Sequence, residues 1–152
     1  MQKELFNLNH IYFDVDCKTQ KEAFTFIANA FVENGVSDNL KKCFKGLVKR
    51  EKEGTTGFND GIAIPHARIK EISRPGLFVF LFKDGIEWKS IDDSKVKLAI
   101  ALAIPETNSG SEHIKILSSV ARKLVDQEFC KNLLSAKSKE AVYKLISEIE
   151  IK

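Results

Sequence analysis

The sequence predicts an α/β fold: a single three-layer domain over residues 1–152, with a β-sheet flanked by helices on both faces. Three observations carry this reading. Two near-continuous apolar runs, Leu77 to Phe82 and Leu98 to Ile104, are the pattern of strands buried on both faces. Amphipathic helical segments lie before and after them, which supplies the covering layers. The length of 152 residues, with 43% apolar and 30% charged side chains, suffices to bury roughly 70% of the unfolded surface and is too apolar for disorder.

Taken in order, Ile11 to Asp16 ("IYFDVD") alternates like a strand. Thr19-x-x-Glu22 is a capping box that opens a first helix, and Asn34-Gly35 stops it. A second helix starts near Ser37 or Asp38, carries Leu40, Phe44, Leu47 and Val48 on one side, and ends near Gly54. Gly54 to Gly61 reads as a loop, followed by a short strand through Ile62 to Ile64 that Pro65 interrupts. The two long apolar strands are bounded by Arg74-Pro75-Gly76, Lys83-Asp84-Gly85 and Pro105. Helices over Ser111 to Val125, Gln127 to Leu134 and Ser138 to Ile149 complete the order β-α-α-β-β-β-α-α-α around a mixed or parallel sheet. There is no internal repeat, low-complexity tract or linker.

The net charge of +3 is spread along the chain. Lys41, Lys42, Lys45, Lys49 and Arg50 share one segment, but apolar residues interleave them at helical spacing, the mark of a solvated helix face rather than a nucleic-acid surface. Cys17, Cys43 and Cys130 are odd in number and far apart, as expected of free thiols in a reducing compartment. "MQKELFNLNH" lacks the apolar core of a signal peptide, and no apolar run is long enough to span a membrane. A cytoplasmic, unanchored protein is expected.

The chemistry should reside in the histidines. His10 has no chemical company nearby in sequence and is expected at the surface. His66 follows Ile64-Pro65 in a setting closed by glycines, where backbone freedom and backbone restriction together fix a direction for its ring. His113, two residues after a candidate N-cap at Ser111, belongs to the first turn of a helix, a place that favours anions. No H-E-x-x-H and no metal-ligand spacing is present, and neither G-x-S-x-G nor a nucleotide-binding glycine loop occurs, so neither metal nor cofactor is expected. What remains is histidine as nucleophile: a neutral imidazole can attack phosphorus without a separate base. Such a site needs one ring nitrogen fixed by a hydrogen bond and donors for the phosphoryl oxygens; Arg50 and His113 suit the second task. Thr55 and Thr56 are candidate hydroxyl donors or plain turn residues.

"KREKEGTTGFNDGIAIPHAR", "DGIEW", "VKLAIALAIPE" and "SEHIKILSSVARKLVDQEF", in that order, resemble the enzyme IIA domain of the fructose–mannitol class of the bacterial phosphoenolpyruvate-dependent sugar phosphotransferase system. The resemblance covers nearly the whole chain, although "GFND" has fewer glycines than family members often show. It implies a mixed sheet between helices, with His66 as the histidine phosphorylated on Nε2 (tele-phosphohistidine), Arg50 beside it and His113 as the second histidine of the site. It also implies a route: the phosphocarrier protein HPr donates to His66, which passes the group to a cysteine of an enzyme IIB and through it to a membrane enzyme IIC. Those cysteine and membrane functions are expected on other polypeptides, and the three cysteines here are expected to be ordinary buried or half-buried thiols. A regulatory, nitrogen-type IIA paralogue would use the same histidine, so the sequence leaves transport and signalling both open, and the sugar is not legible in it.

Overall fold

In the computed structural model, which describes residues 1–107 and 111–152 without the side chains of Ser111 and Glu112, the long apolar runs conceal an alternation that sets the layers. The strands are β1 (Ile11–Val15), β2 (Ile62–Ala63), β3 (His66–Ile69), β4 (Gly76–Ile86) and β5 (Val96–Pro105). The helices are α1 (Gln20–Glu33), α2 (Leu40–Glu53), α3 (Ser111–Lys123), α4 (Gln127–Leu134) and α5 (Lys139–Ser147), and a 3-10 turn covers Leu8–His10. On β4, Phe78, Phe80 and Phe82 join one core with Phe24, Ile27 and Phe31 of α1 and Leu47 of α2. Leu77 and Val79 point the other way, into a second core with Val120 of α3, Leu133 of α4 and Ile146 of α5. Both faces of the strand are thus dry, and each fully buried phenylalanine contributes about 1.5–3 kcal/mol.

The sheet runs β1-β4-β5-β2, with β3 also on β5. It is mixed: β4 and β5 are antiparallel, while β1 lies parallel to β4 and both β2 and β3 lie parallel to β5. Large faces small across the central pair, Phe78 opposite Ala101 and Phe80 opposite Ala99, which leaves room for α1 and α2 on that side. In β1 an extra residue shifts the register between Tyr12 and Val15, with Asp14 at φ 51°. The bulge turns Asp14 to solvent and returns Val15 to the first core. The expected α/β fold, a mixed sheet with helices on both faces, is the fold observed.

Several boundaries differ from the sequence reading. Lys83-Asp84-Gly85 is not a turn: β4 continues through it to Ile86, which pairs with Val96, and the chain absorbs the polar residues as a register irregularity. Helix α2 begins later than expected because Asn39 is its cap, accepting from Lys42 N at 3.1 Å. The strand expected over Ile62 to Ile64 is β2, one residue shorter, and a further strand that the sequence did not predict, β3, follows Pro65. Helix α3 ends at Lys123 rather than Val125 and α5 at Ser147 rather than Ile149, while the expected cap at Ser111 involves a side chain outside the described ones. No helix among the described residues is long and apolar enough to cross a membrane.

His10 is the clearest correction. It is 1% exposed rather than at the surface. Its Nδ1 donates to Leu77 O at 2.9 Å, and its ring stacks on Phe78 with centroids 4.0 Å apart, so the imidazole closes the N-terminal turn onto β4. Burial, with Arg74 adding to it, holds its pKa below 6.5. The unfolded chain then binds the proton more readily, so this contribution to stability is complete above pH 6.5 and is lost as pH falls towards the folded-state value. We expect His10→Ala to cost about 2–4 kcal/mol in urea unfolding at pH 7.5 and to weaken the loss of stability between pH 7 and 5. An unchanged unfolding midpoint would contradict the packing described.

Candidate active site

The site grows from the edge of the sheet. Pro65 lacks an N–H, yet Ile62 faces Leu98 and His66 faces Leu102, so the register on β5 is unbroken across it, and Leu102 N donates to Pro65 O at 3.0 Å. The outward groups of this edge are taken by the preceding loop: Phe58 N donates to Ile62 O at 2.7 Å and Ile64 N to Thr56 O at 2.9 Å. Gly57 lies at the centre of this rung, bridging to Ala63, and a Cβ there would come 2.4 Å from Lys89 O, so the loop before β5 closes over a bare backbone. The remaining edge acceptor, Ile64 O, receives His66 Nδ1 at 2.9 Å.

That bond settles the ring. A carbonyl can only accept, so Nδ1 carries the hydrogen and Nε2 keeps its lone pair. Arg50 Nε donates to Nε2 at 3.1 Å, and its Nη1 donates to Gly54 O at 2.8 Å at the end of α2. Helix α2 comes close enough for this because Gly46 rests against β3, where an added Cβ would lie 3.0 Å from Ile69 and 3.1 Å from Ala67; Arg50 is one turn further along. Burial lowers the pKa of His66 from 6.5; the Ile64 carbonyl opposes this, Arg50 adds to it, and Glu51 and Glu53 oppose it more weakly. The half-buried ring is therefore neutral at pH 7, with an unprotonated nitrogen directed at a guanidinium.

The three residues expected from sequence, His66, Arg50 and His113, line one cleft of about 390 Å³ between α2 and α3. His113 is 7% exposed, and its Nδ1 has no hydrogen-bond partner among the described residues. Sequence reasoning missed Arg68, which lines the same cleft and whose Nη2 donates to Thr107 O at 3.1 Å. The signal was the spacing His66-x-Arg68, since residues two apart on a strand share a face. Lys49, Glu53 and Glu106 add charge of both signs, and Ile104, Ile114 and Leu117 add apolar wall. Ile114 is 64% exposed. Lys41, Lys42, Lys45 and Lys49 are solvated as expected, whereas Arg50 turns inward.

Thr55 and Thr56 donate their hydroxyls to Lys89 O and to Glu51 Oε1 respectively. Both secure the loop. Asp92 secures it from the other side, accepting from Ser94 Oγ at 2.6 Å and Asp60 N at 3.0 Å, which lowers its pKa to about 2. Cys17, Cys43 and Cys130 are free and buried, with burial raising each thiol and taking Cys130 to about 11. No group of three or more His, Cys, Asp or Glu among the described residues could hold a metal ion.

This arrangement can be set beside known proteins. A family model for the phosphoenolpyruvate-dependent sugar phosphotransferase system, EIIA 2, matches residues 4–149. The chain is 32% identical over 131 residues to the PTS system fructose-specific EIIA component of Haloferax volcanii, covering 86% of this chain and 84% of that one. It is 36% identical over 137 residues to a nitrogen regulatory protein of Klebsiella oxytoca, covering 88% and 82%. The solved structure of nitrogen regulatory protein IIA-Ntr from Neisseria meningitidis is similar at a TM-score of 0.85 and 26% identity, over 94% of this chain and 97% of that one. Enzyme IIA mannitol of Escherichia coli, solved in complex with phosphorylated enzyme IIB mannitol, shares the fold at a TM-score of 0.78 and 20% identity, over 93% and 96%. With the family model spanning nearly all of the chain and sequence relatives matching most of their own length, the chain belongs to the EIIA 2 family of phosphotransfer components of the phosphoenolpyruvate-dependent sugar phosphotransferase system.

Proposed function

We propose that this chain is a phosphocarrier that accepts a phosphoryl group from phosphorylated HPr on His66 Nε2 and delivers it to a cysteine of an enzyme IIB, which serves a membrane enzyme IIC in uptake of a sugar of the fructose-like class. The observation that carries this reading is the pair of hydrogen bonds on His66, which protonates Nδ1 and leaves Nε2 as a lone pair beside Arg50. In the first step the Nε2 lone pair attacks phosphorus, the donor's N–P bond breaks, and that electron pair returns to the donor imidazole. Arg50 moves its N–H from Nε2 to the phosphoryl oxygens as charge spreads over them. His113 and Arg68, on the walls of the same cleft, supply further donors. In the second step a thiolate attacks phosphorus and the bonding pair returns to His66 Nε2.

The apolar wall with exposed Ile114 supports docking of partner proteins at this cleft. A second reading, a regulatory nitrogen-type IIA, rests on the 36% identity to a nitrogen regulatory protein and the TM-score of 0.85 to IIA-Ntr. The two share the first step and part at the second. Mixing the phosphorylated chain with candidate IIB proteins separates them: loss of label to a IIB cysteine supports transport, and retention against every IIB supports regulation.

Incubation with phosphoenolpyruvate, enzyme I and HPr should add one phosphoryl group that survives alkali and is lost in acid, and His66→Ala should abolish it. Persistent labelling of that variant would remove His66 as acceptor. Replacing Cys17, Cys43 and Cys130 together should leave transfer intact in a folded variant.

Single-turnover transfer from phosphorylated HPr should fall roughly 100- to 1,000-fold in Arg50→Ala, less where water screens the site, with smaller losses in His113→Ala and Arg68→Ala. Protonation of Nε2 removes the nucleophile, so the wild-type acceptance rate should decline as pH drops through a midpoint below 6.5. Arg50→Ala, by deleting a cation that disfavours the imidazolium, should move that midpoint upward. A midpoint above 6.5 in the wild type, or a downward move in the variant, would contradict the electrostatics described.

A further inference from the structure

We propose that Glu51, which does not line the cleft and makes no hydrogen bond to His66 among the described residues, is a positioning residue for phosphoryl transfer, holding the imidazole of His66 through a relay of hydrogen bonds across the loop. Its carboxylate is nearly saturated: Oε2 accepts from Thr56 N at 2.9 Å and from Trp88 Nε1 at 3.1 Å, and Oε1 accepts from Thr56 Oγ1 at 2.5 Å. Thr56 and Trp88 are 8% and 6% exposed, so these donors have little access to water.

From Thr56 the relay continues through the backbone. Thr56 O accepts from Ile64 N at 2.9 Å, and Ile64 O accepts from His66 Nδ1 at 2.9 Å. Each link fixes one peptide, and the Cα shared with the neighbouring peptide, at Thr56 and again at Ile64, limits the direction of the group that makes the next link. The carbonyl that selects the His66 tautomer is part of a sheet edge covered by the preceding loop, and its direction depends on the rung formed by Thr56 and Phe58. Because Glu51 follows Arg50 in α2, one helix end holds both sides of the ring: Arg50 reaches Nε2 directly, and Glu51 reaches Nδ1 through Thr56 and Ile64.

The inference rests on His66 being the acceptor, and its test is chosen to be separable from that reading. The ring nitrogens of His66 in the unphosphorylated chain report the tautomer by nitrogen-15 NMR, with no donor protein present. Because the Arg50 N–H at Nε2 favours the same tautomer, the nitrogen spectra are compared in an Arg50→Ala background, where adding Glu51→Ala should turn the single Nδ1–H form into a mixture. With Arg50 present, Glu51→Ala should lower the first-order transfer rate from bound phosphorylated HPr roughly 10- to 100-fold with the donor KM unchanged. Glu51→Gln keeps acceptor oxygen and shape but loses the charge, and the Thr56 hydroxyl can rotate to accept from its amide. It should recover the single tautomer and most of the rate.

A folded Glu51→Ala protein with one tautomer in the Arg50→Ala background and the wild-type rate with Arg50 present overturns the proposal. So does a Glu51→Gln protein as impaired as Glu51→Ala, because charge rather than position would then be acting. Should Glu51→Ala fail to fold, Glu51→Asp, whose shorter side chain draws the carboxylate back from both Thr56 N and Thr56 Oγ1, carries the test in the same background: a mixed tautomer supports the relay and a single one overturns it. A wild-type chain that takes no label on His66 would defeat the proposed function, while the tautomer measurement would still decide the role of Glu51 in holding the ring.

Discussion

The hydrogen bond from His66 Nδ1 to Ile64 O is the constraint on which the site depends. A free imidazole exchanges its proton between two nitrogens and rotates about two bonds; here a backbone carbonyl two residues away ends both freedoms. That carbonyl is available because β2 and β3 form the edge of the sheet, where no sixth strand among the described residues competes for it. The proline between them interrupts the strand without breaking its register on β5, and the side chain that follows loops back on its own backbone. An unprotonated Nε2 is thus obtained from a group that any sheet edge offers, and the surrounding residues determine which way it points.

The approach of α2 is the second requirement, and it is a matter of a missing methyl group. Gly46 gives up helix propensity, about 1 kcal/mol relative to alanine, for contact with Ala67 and Ile69. The sheet cooperates, because the face of β5 toward α1 and α2 carries Ala99, Ala101 and Ala103 while the bulk is supplied by phenylalanines of β4. Small residues in two elements and large ones in a third therefore bring the helix carrying Arg50 and Glu51 against the strand carrying His66. Packing and chemistry are coupled here through distance: the same close contact that excludes water also lowers the affinity of His66 for protons.

What could be read from the sequence was what is decided locally. The Thr19 cap, the bounds of α4, the interruption at Pro65 and the special setting of His66 depend on residues within a few positions of one another. His10 was misplaced because its partners, Leu77 and Phe78, lie far along the chain and nothing beside it in sequence announces them. Lys83-Asp84-Gly85 has the composition of a turn, but pairing of Ile86 with Val96 outweighs that preference. Glu51 was legible as part of a motif and not as a relay, since the hydrogen bonds that define its place are made to Thr56 and Trp88 only after the loop has folded.

The edge on which the ring is mounted has a consequence for recognition. An open strand is ordinarily a template on which another chain can add by backbone pairing, a geometry that is adhesive and slow to let go. Along Ile62 to Ile64 that template has been used up internally, by Thr56, Phe58 and the histidine itself. A protein reaching Nε2 would find the backbone groups of Ile62 and Ile64 already paired and would meet this segment through side chains and shape. Such a meeting imposes no strand direction or register on the visitor, so molecules of unrelated architecture can take turns at one small opening, and each can leave without unzipping anything.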